Sequence, residues 1–220
     1  MTTITPDRTL AEVVNADPAA TRVFESFALD YCCGGRRRID EACATAGVAV
    51  AAVLDALEDL GPAPEVDWAT MGPAELVDHL EATHHAYLHA EFGRLTDLTE
   101  KVVAAHGTRH PELAEVAAAY GALRADLEPH LMKEEQVLFP MILGGRGRSA
   151  AMPIHVMEEE HEDHGRNLER LRELTHQFTP PEEACGTWRA LYLGLHELDE
   201  QLMQHIHLEN NVLFPRALRS

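Results

Sequence analysis

The eleven-residue stretch His130-Leu131-Met132-Lys133-Glu134-Glu135-Gln136-Val137-Leu138-Phe139-Pro140 has an echo 75 positions later, His205-Ile206-His207-Leu208-Glu209-Asn210-Asn211-Val212-Leu213-Phe214-Pro215. Both copies read His-x-x-x-Glu followed by Val-Leu-Phe-Pro. On a helix, residues four apart stack on one face with Cβ atoms about 5–6 Å apart, so the His and Glu of each copy can reach one metal centre. The Val-Leu-Phe run gives each pair an apolar anchor, and the Pro marks a helix end or a kink. A single His-x-x-x-Glu is more often an exposed charge-assisted pair. Two copies with the same apolar tail do not fit a solvated surface, and they point to a buried metal centre between long helices.

Composition narrows the class. A chain of 220 residues can bury a full core and holds one or two domains. Aromatics are sparse at 5% while Ala and Leu are plentiful, which favours helix over sheet. The net charge of −19 excludes the basic face that nucleic acid needs and disfavours anionic membrane surfaces. It suits a protein that holds cations, as do the 14 His. No apolar run approaches the roughly 20 residues of a membrane span. Met1 to Leu10 lacks a basic-then-apolar signal pattern. Two of the four Cys are adjacent, Cys32-Cys33, a poor disulfide framework, so reduced thiols and a cytoplasmic location are expected.

Read in order, residues 1–60 form a small helical unit. Asp17-Pro18 reads as an N-cap followed by Pro at the first helical position. Val23, Phe24, Phe27 and Ala28 then recur at helical spacing. Asp30-Tyr31-Cys32-Cys33-Gly34-Gly35 stops that helix, Arg36-Arg37-Arg38 follows, and helix resumes over 39–46 and 50–60. Gly61-Pro62-Ala63-Pro64 opens a linker, 61–72. Residues 73–220 hold four long helical patterns: 73–106, closed by Gly107; 111–143; 153–178; and 181–218. Short loops between four helices make an all-α antiparallel bundle the natural packing.

A bundle centre needs donors from all four helices. The second and fourth carry the repeated pairs. The first offers His79, His84, His85 and His89; adjacent residues point about 100° apart, so His84 and His85 are not both expected to face the core. The third offers Glu160, His161 and His164, with His161 seven residues before Leu168 on the same apolar face. One His from each helix plus two Glu is the expected donor set. Imidazole and carboxylate without thiolate suit iron or manganese more than structural zinc. Six ligands exceed the four of a tetrahedral zinc and suggest two metals, with Glu134 and Glu209 bridging them. Two divalent ions would offset the cost of burying two carboxylates.

Asp30-Tyr31-Cys32-Cys33-Gly34-Gly35, the run from Met132 to Pro140, Val156-Met157-Glu158-Glu159-Glu160-His161 and the run from Leu208 to Leu218 together resemble the iron–sulfur cluster repair di-iron proteins, the RIC, YtfE and ScdA family. The resemblance covers nearly the whole chain. It implies a hemerythrin-like four-helix bundle with a non-haem di-iron centre, over 73–220, preceded by a Cys-containing ScdA-type domain. Carried over position by position, it implies His85, His130, Glu134, His161, His205 and Glu209 as iron ligands. His84 is the alternative to His85, which is preferred because the family's ligand follows by seven residues the Asp that matches Asp78.

Two features depart from that pattern. Pro129 precedes His130 inside an expected helix, where it removes a donor and pushes on the carbonyl of Ala125, so a kink or a shifted ligand geometry is expected. His164 and His207 are extra imidazoles near presumed ligands, expected to face solvent or to support a ligand. His79, His89, His155 and His196 read as surface or packing residues. Asp126 and Glu160 lie within a turn of ligand positions and are candidates for orienting a ligand or relaying protons. Cys32 and Cys33 are candidate functional thiols, which Arg36–Arg38 would stabilise as thiolates or flank as a charged turn. Cys43 and Cys185 read as bystanders.

The resemblance favours repair of clusters damaged by oxidative or nitrosative stress, with the di-iron centre as a labile iron source and damaged iron–sulfur proteins as clients. Two alternatives stand beside it: an oxidoreductase that reduces nitric oxide, and a non-enzymatic carrier or sensor of O2, NO or iron. Whether the chain is an enzyme is therefore open. A monomer or homodimer without nucleic-acid or membrane partners is expected. The Cys32-Cys33 domain has no use in a plain O2 carrier.

Overall fold

The computed structural model describes residues 4–60, 68 and 70–219, so most of the expected 61–72 linker lies outside the described residues. The described residues are helical, without a named strand. Contacts divide the chain into two units. One comprises residues up to Asp78, the segment Ile142–Ala151 and the stretch from Met203 onward; the other comprises His79–Met141 and Met152–Leu202.

In the first unit, α1 (Leu10–Ala16) opens on a capping box, in which Thr9 Oγ1 accepts the Glu12 amide and Glu12 accepts the Thr9 amide. This helix was not foreseen, although Thr9-x-x-Glu12 is its sequence signature. Helix α2 (Ala20–Ser26) begins two residues later than expected: Asp17 ends α1, and its carboxylate accepts the Ala19 amide. It also ends before Ala28, which sits at φ 53 in the left-handed region. Helices α3 (Ile39–Ala46) and α4 (Val50–Glu58) follow the expected spans closely. Leu10, Val14, Phe24, Ile39 and Val53 form the core of this part.

The long helices carry an unforeseen feature. The first is α5 (Pro73–His79), a π-helical turn over Leu80–His85, and α6 (Ala86–His106). The second is α7 (Glu112–Lys133), a π-turn over Glu134–Leu138, and α8 (Phe139–Leu143). Helix α9 (Ala151–Leu174) is uninterrupted. The fourth is α10 (Gly186–Leu208), a π-turn over Glu209–Leu213, and α11 (Phe214–Ala217). The last two π-turns end two residues before Pro140 and Pro215, whose missing amides cannot close an α-turn; the wider turn places the loss there. Pro129 breaks nothing: α7 runs through it, and the irregularity falls one turn later, at Glu134.

The third helix ends at Leu174, earlier than expected, because His176, Gln177 and Phe178 all take positive φ, with Phe178 N bonded to Thr175 Oγ1 and Gln177 N to the Arg172 carbonyl. Leu88, Leu95, Leu123, Leu127, Leu168, Leu171, Leu195 and Leu202 fill the core of the second unit at near-zero exposure. The described residues are all-α, as the helical patterning predicts.

Candidate metal centre

In the second unit, three histidines aim one nitrogen each at a single carboxylate. Glu134 is the first residue of its π-turn, and His130 stands one turn before it on α7; both are fully buried. His130 Nε2 lies 3.1 Å from Glu134 Oε1, and His161 Nε2 lies 3.8 Å from the same oxygen. His85 Nε2 lies 3.6 Å from Oε2. The His130 and His161 Nε2 atoms are 3.1 Å apart.

Outer acids fix which nitrogen faces inward. Glu160 Oε2 is 2.8 Å from His130 Nδ1, and Glu135 Oε1 is 2.9 Å from His85 Nδ1. An ionised carboxylate only accepts, so Nδ1 of each ring is the donor and Nε2 is turned toward Glu134. Burial alone would raise the Glu160 carboxyl, but hydrogen bonds from Lys133 and His130 outweigh it and hold it below the usual carboxylate range. Glu135 behaves alike, its burial outweighed by His89 and His85. A cation placed among these nitrogens and the carboxylate would be coordinated by them. The donor set of imidazoles and a carboxylate suits a first-row divalent ion.

The first unit repeats the half-site. Glu209 opens a π-turn, His205 stands one turn before it on α10, and both are fully buried. His205 Nε2 lies 3.4 Å from Glu209 Oε2, the same pair of atom types as in the other copy. Buried His and Glu side chains of this kind are compatible with a metal site.

Several expectations need correction. His84 and His85 are both buried, because the π-turn over Leu80–His85 advances more slowly around the axis than an α-turn and keeps both on the inner side. They differ in partner: His84 Nδ1 lies 3.0 Å from Gln201 Oε1, whereas His85 turns Nε2 to Glu134. His164 does not face solvent; its buried ring stands edge-on to His130 with centroids 4.6 Å apart. His207 is buried as well and faces the Cys-Cys loop. Its Nδ1 lies 3.1 Å from the Tyr31 carbonyl oxygen, and its Nε2 lies 3.1 Å from Asn15 Oδ1. Burial pushes its pKa down to about 4, so the ring is neutral at physiological pH.

That loop is shaped from within and held from α10. Asp30 accepts the amides of Cys32, Cys33 and Gly34 at 2.9–3.1 Å. A side chain at Gly34 would meet the Asp30 carbonyl at 2.6 Å, and one at Gly35 would meet Asn211 Oδ1 at 2.7 Å, which explains the glycine pair. Asn211 Nδ2 donates to the Cys32 carbonyl at 2.9 Å, and Met203 Sδ lies 3.3 Å from Cys32 Sγ. Met203, His207 and Asn211, four residues apart, thus form one stripe against the loop. Neither cysteine is in a disulfide; Cys32 is buried and Cys33 half-buried. Contact with Cys33, burial and the Asp30 charge push the Cys32 thiol well up. Arg38 pairs with Asp40 at 2.6 Å.

Of the remaining candidates, His89 shares Glu135 Oε1 with His85, at 3.0 Å from its Nε2. His89, His155 and His196 are exposed, and His79 is half-buried. Asp126 is exposed and accepts from Asn167 at 3.3 Å. Cys43 is buried, and Cys185 is exposed beside His106. Sequence reasoning missed Glu135, Gln201 and the stripe. For Glu135 the signal was its position next to Glu134; for the stripe it was the spacing 203, 207, 211.

Among the described residues, no helix is long and apolar enough to cross a membrane. The model of the hemerythrin HHE cation binding domain matches residues 76–217, and that of a domain of unknown function, ScdA_N (DUF542), matches residues 6–61. The chain is 40% identical over 215 residues to the iron–sulfur cluster repair protein YtfE of Dickeya chrysanthemi, covering 97% of each chain. It is 41% identical over 213 residues to a probable iron–sulfur cluster repair protein of Haemophilus influenzae, with 95% of this chain and 96% of that one covered. The YtfE of Citrobacter koseri is 42% identical over 214 residues, covering 96% and 97%.

Proposed function

The chain belongs to the iron–sulfur cluster repair family, and from that membership we propose that it repairs clusters damaged by oxidative or nitrosative stress by supplying iron from a labile non-haem di-iron centre. In this reading His85, His130, Glu134, His161, His205 and Glu209 hold two irons, with Glu134 and Glu209 as bridges. The domains divide as 1–60, a linker over 61–72, and 73–220, and the protein works in the cytoplasm.

The observation that carries the reading is the duplicated half-site, a buried His one turn before a buried Glu that opens a π-turn. Two like half-sites supply like ligands to two like ions. These residues would hold ferrous iron, which would supply exchangeable cargo and electrons. The chain's own residues do three things. Glu135 and Glu160 orient His85 and His130 and hold the proton on Nδ1. Apolar neighbours such as Leu131 and Leu138 exclude water. Hard carboxylate ligands would hold ferrous iron less tightly than the thiolates of a cluster do, which is compatible with its exchange to a client. The acidic surface favours protein clients over nucleic acid.

The test is reactivation of a nitric-oxide-treated [4Fe–4S] dehydratase under argon by the reduced protein. Reactivation beyond that given by free ferrous iron, lost in His130→Ala and Glu209→Ala, is the expected result. Multiple-turnover consumption of nitric oxide without reactivation would establish a reductase, and reversible gas binding alone a carrier.

A further inference from the structure

The sulfur atoms of the Cys-Cys loop take no part in the His–Glu centre, yet they are gathered as carefully. Cys32 Sγ lies 3.7 Å from Cys33 Sγ and 3.3 Å from Sδ of Met203, which is 171 residues downstream. Cys32 and Met203 are buried, while Cys33 is half-buried and gives the group a route to solvent. We propose that Cys32, Cys33 and Met203 form a binding site for one soft monovalent cation of the Cu(I) class, distinct from the di-iron centre.

The donor chemistry selects the ion. A thioether is a poor ligand for ferrous iron or manganese and a good one for Cu(I), and two thiols beside it complete an all-sulfur set. The carboxylate of Asp30 is within reach, but it already accepts three backbone amides and serves to shape the loop. That leaves three sulfurs, one fewer than tetrahedral zinc takes. Bonds of about 2.3 Å to three coplanar sulfurs hold them about 4 Å apart, so both observed separations need open by less than about 1 Å. Met203 has the torsional freedom to supply that shift.

The loop is held in the conformation that binding requires. Asn211 grips the Cys32 carbonyl and His207 the Tyr31 carbonyl, from the same stripe of α10 and its extension that delivers Met203. The glycine pair lets the backbone pass close to Asp30 and Asn211 where a side chain would collide. A structural role for buried Cys32 alone would need neither the second cysteine nor the thioether at van der Waals range. Binding displaces thiol protons to solvent, so uptake weakens as pH falls.

The experiment uses the full-length protein, purified without oxygen in a Cys185→Ser background to remove the exposed thiol. Cu(I) is titrated against the chelator bicinchoninate, and the copper environment is read by X-ray absorption. The expected result is one Cu(I) per chain with sulfur-only coordination. Met203→Leu should weaken binding by about tenfold and Cys33→Ser by about a hundredfold, with iron content and melting temperature unchanged. Failure of the parent protein to compete with the chelator would overturn the proposal. So would nitrogen or oxygen coordination of the copper, or a Met203→Leu variant that binds as tightly as the parent. The absorption readout needs no substitution among the three sulfur residues, so it stands even if Met203→Leu or Cys33→Ser fails to fold. It is also independent of whether the protein repairs clusters.

Discussion

Glu135 and Glu134, adjacent in the chain, flank the two nitrogens of one imidazole: Glu135 Oε1 lies 2.9 Å from His85 Nδ1, and Glu134 Oε2 lies 3.6 Å from His85 Nε2. In a regular α-helix neighbouring side chains diverge by about 100°. The π-turn that starts at Glu134 lets one acid enter the core while the next reaches the far side of the same ring.

Glu135→Ala should therefore leave His85 free to rotate or change tautomer and weaken ferrous iron binding by about 10–100-fold, without removing a ligand. Glu160→Ala should do the same through His130. Anaerobic competition against a chromophoric iron chelator measures both. Iron affinity unchanged in either variant would show that the acid does not orient its histidine.

Asn211→Ala removes the donor to the Cys32 carbonyl. The expected cost is about 1–3 kcal/mol, the penalty for a buried carbonyl left without its bond. It should also accelerate labelling of Cys32 by a thiol reagent, because the loop opens more often. Urea unfolding and labelling kinetics read the two effects. Labelling at the parent rate would mean that the loop holds itself.

The long helices were legible because heptad-like leucine spacing and glycine or proline punctuation are local signals; 73–106 and 111–143 match closely. The repeat at 130–140 and 205–215 likewise exposed the two His–Glu pairs. The π-turns were not legible, since periodicity assumes a uniform advance per residue; that assumption wrongly set His84 against His85. Nor was the docking of Tyr31 and Cys32 on His207 and Asn211, a contact over some 176–179 residues that no local pattern encodes. His207 accordingly read as a spare imidazole when it is a buried clamp.

Cys185 is the N-cap of α10, and amides of the first turn, Trp188 foremost, together with His106 lower its pKa to about 7. Its alkylation by iodoacetamide should rise through a midpoint near pH 7 and level off above it, because only the thiolate reacts. His106→Ala should move the midpoint upward. A midpoint at that of an ordinary cysteine in the parent protein would contradict this.

Burial pushes the Asp199 carboxyl up, against the opposing pull of Arg172, whose guanidinium lies 2.9 Å away. Arg172→Leu strands a buried carboxylate and should cost roughly 3–5 kcal/mol near neutral pH. The deficit should shrink in acid, where Asp199 takes up a proton and no longer buries a charge. Asp199→Asn in the same background should restore part of the stability. Chemical unfolding at two pH values checks the sign.

The proposed centre would hold two irons on six residues, with Glu134 and Glu209 as equivalent bridges. Metal analysis with Mössbauer spectroscopy of protein purified without oxygen tests it most directly. The expected result is two irons per chain in coupled high-spin sites, and loss of both iron and coupling in Glu134→Ala and in Glu209→Ala. Two irons and an unchanged spectrum in both variants, or a single uncoupled iron in the parent protein, would contradict it.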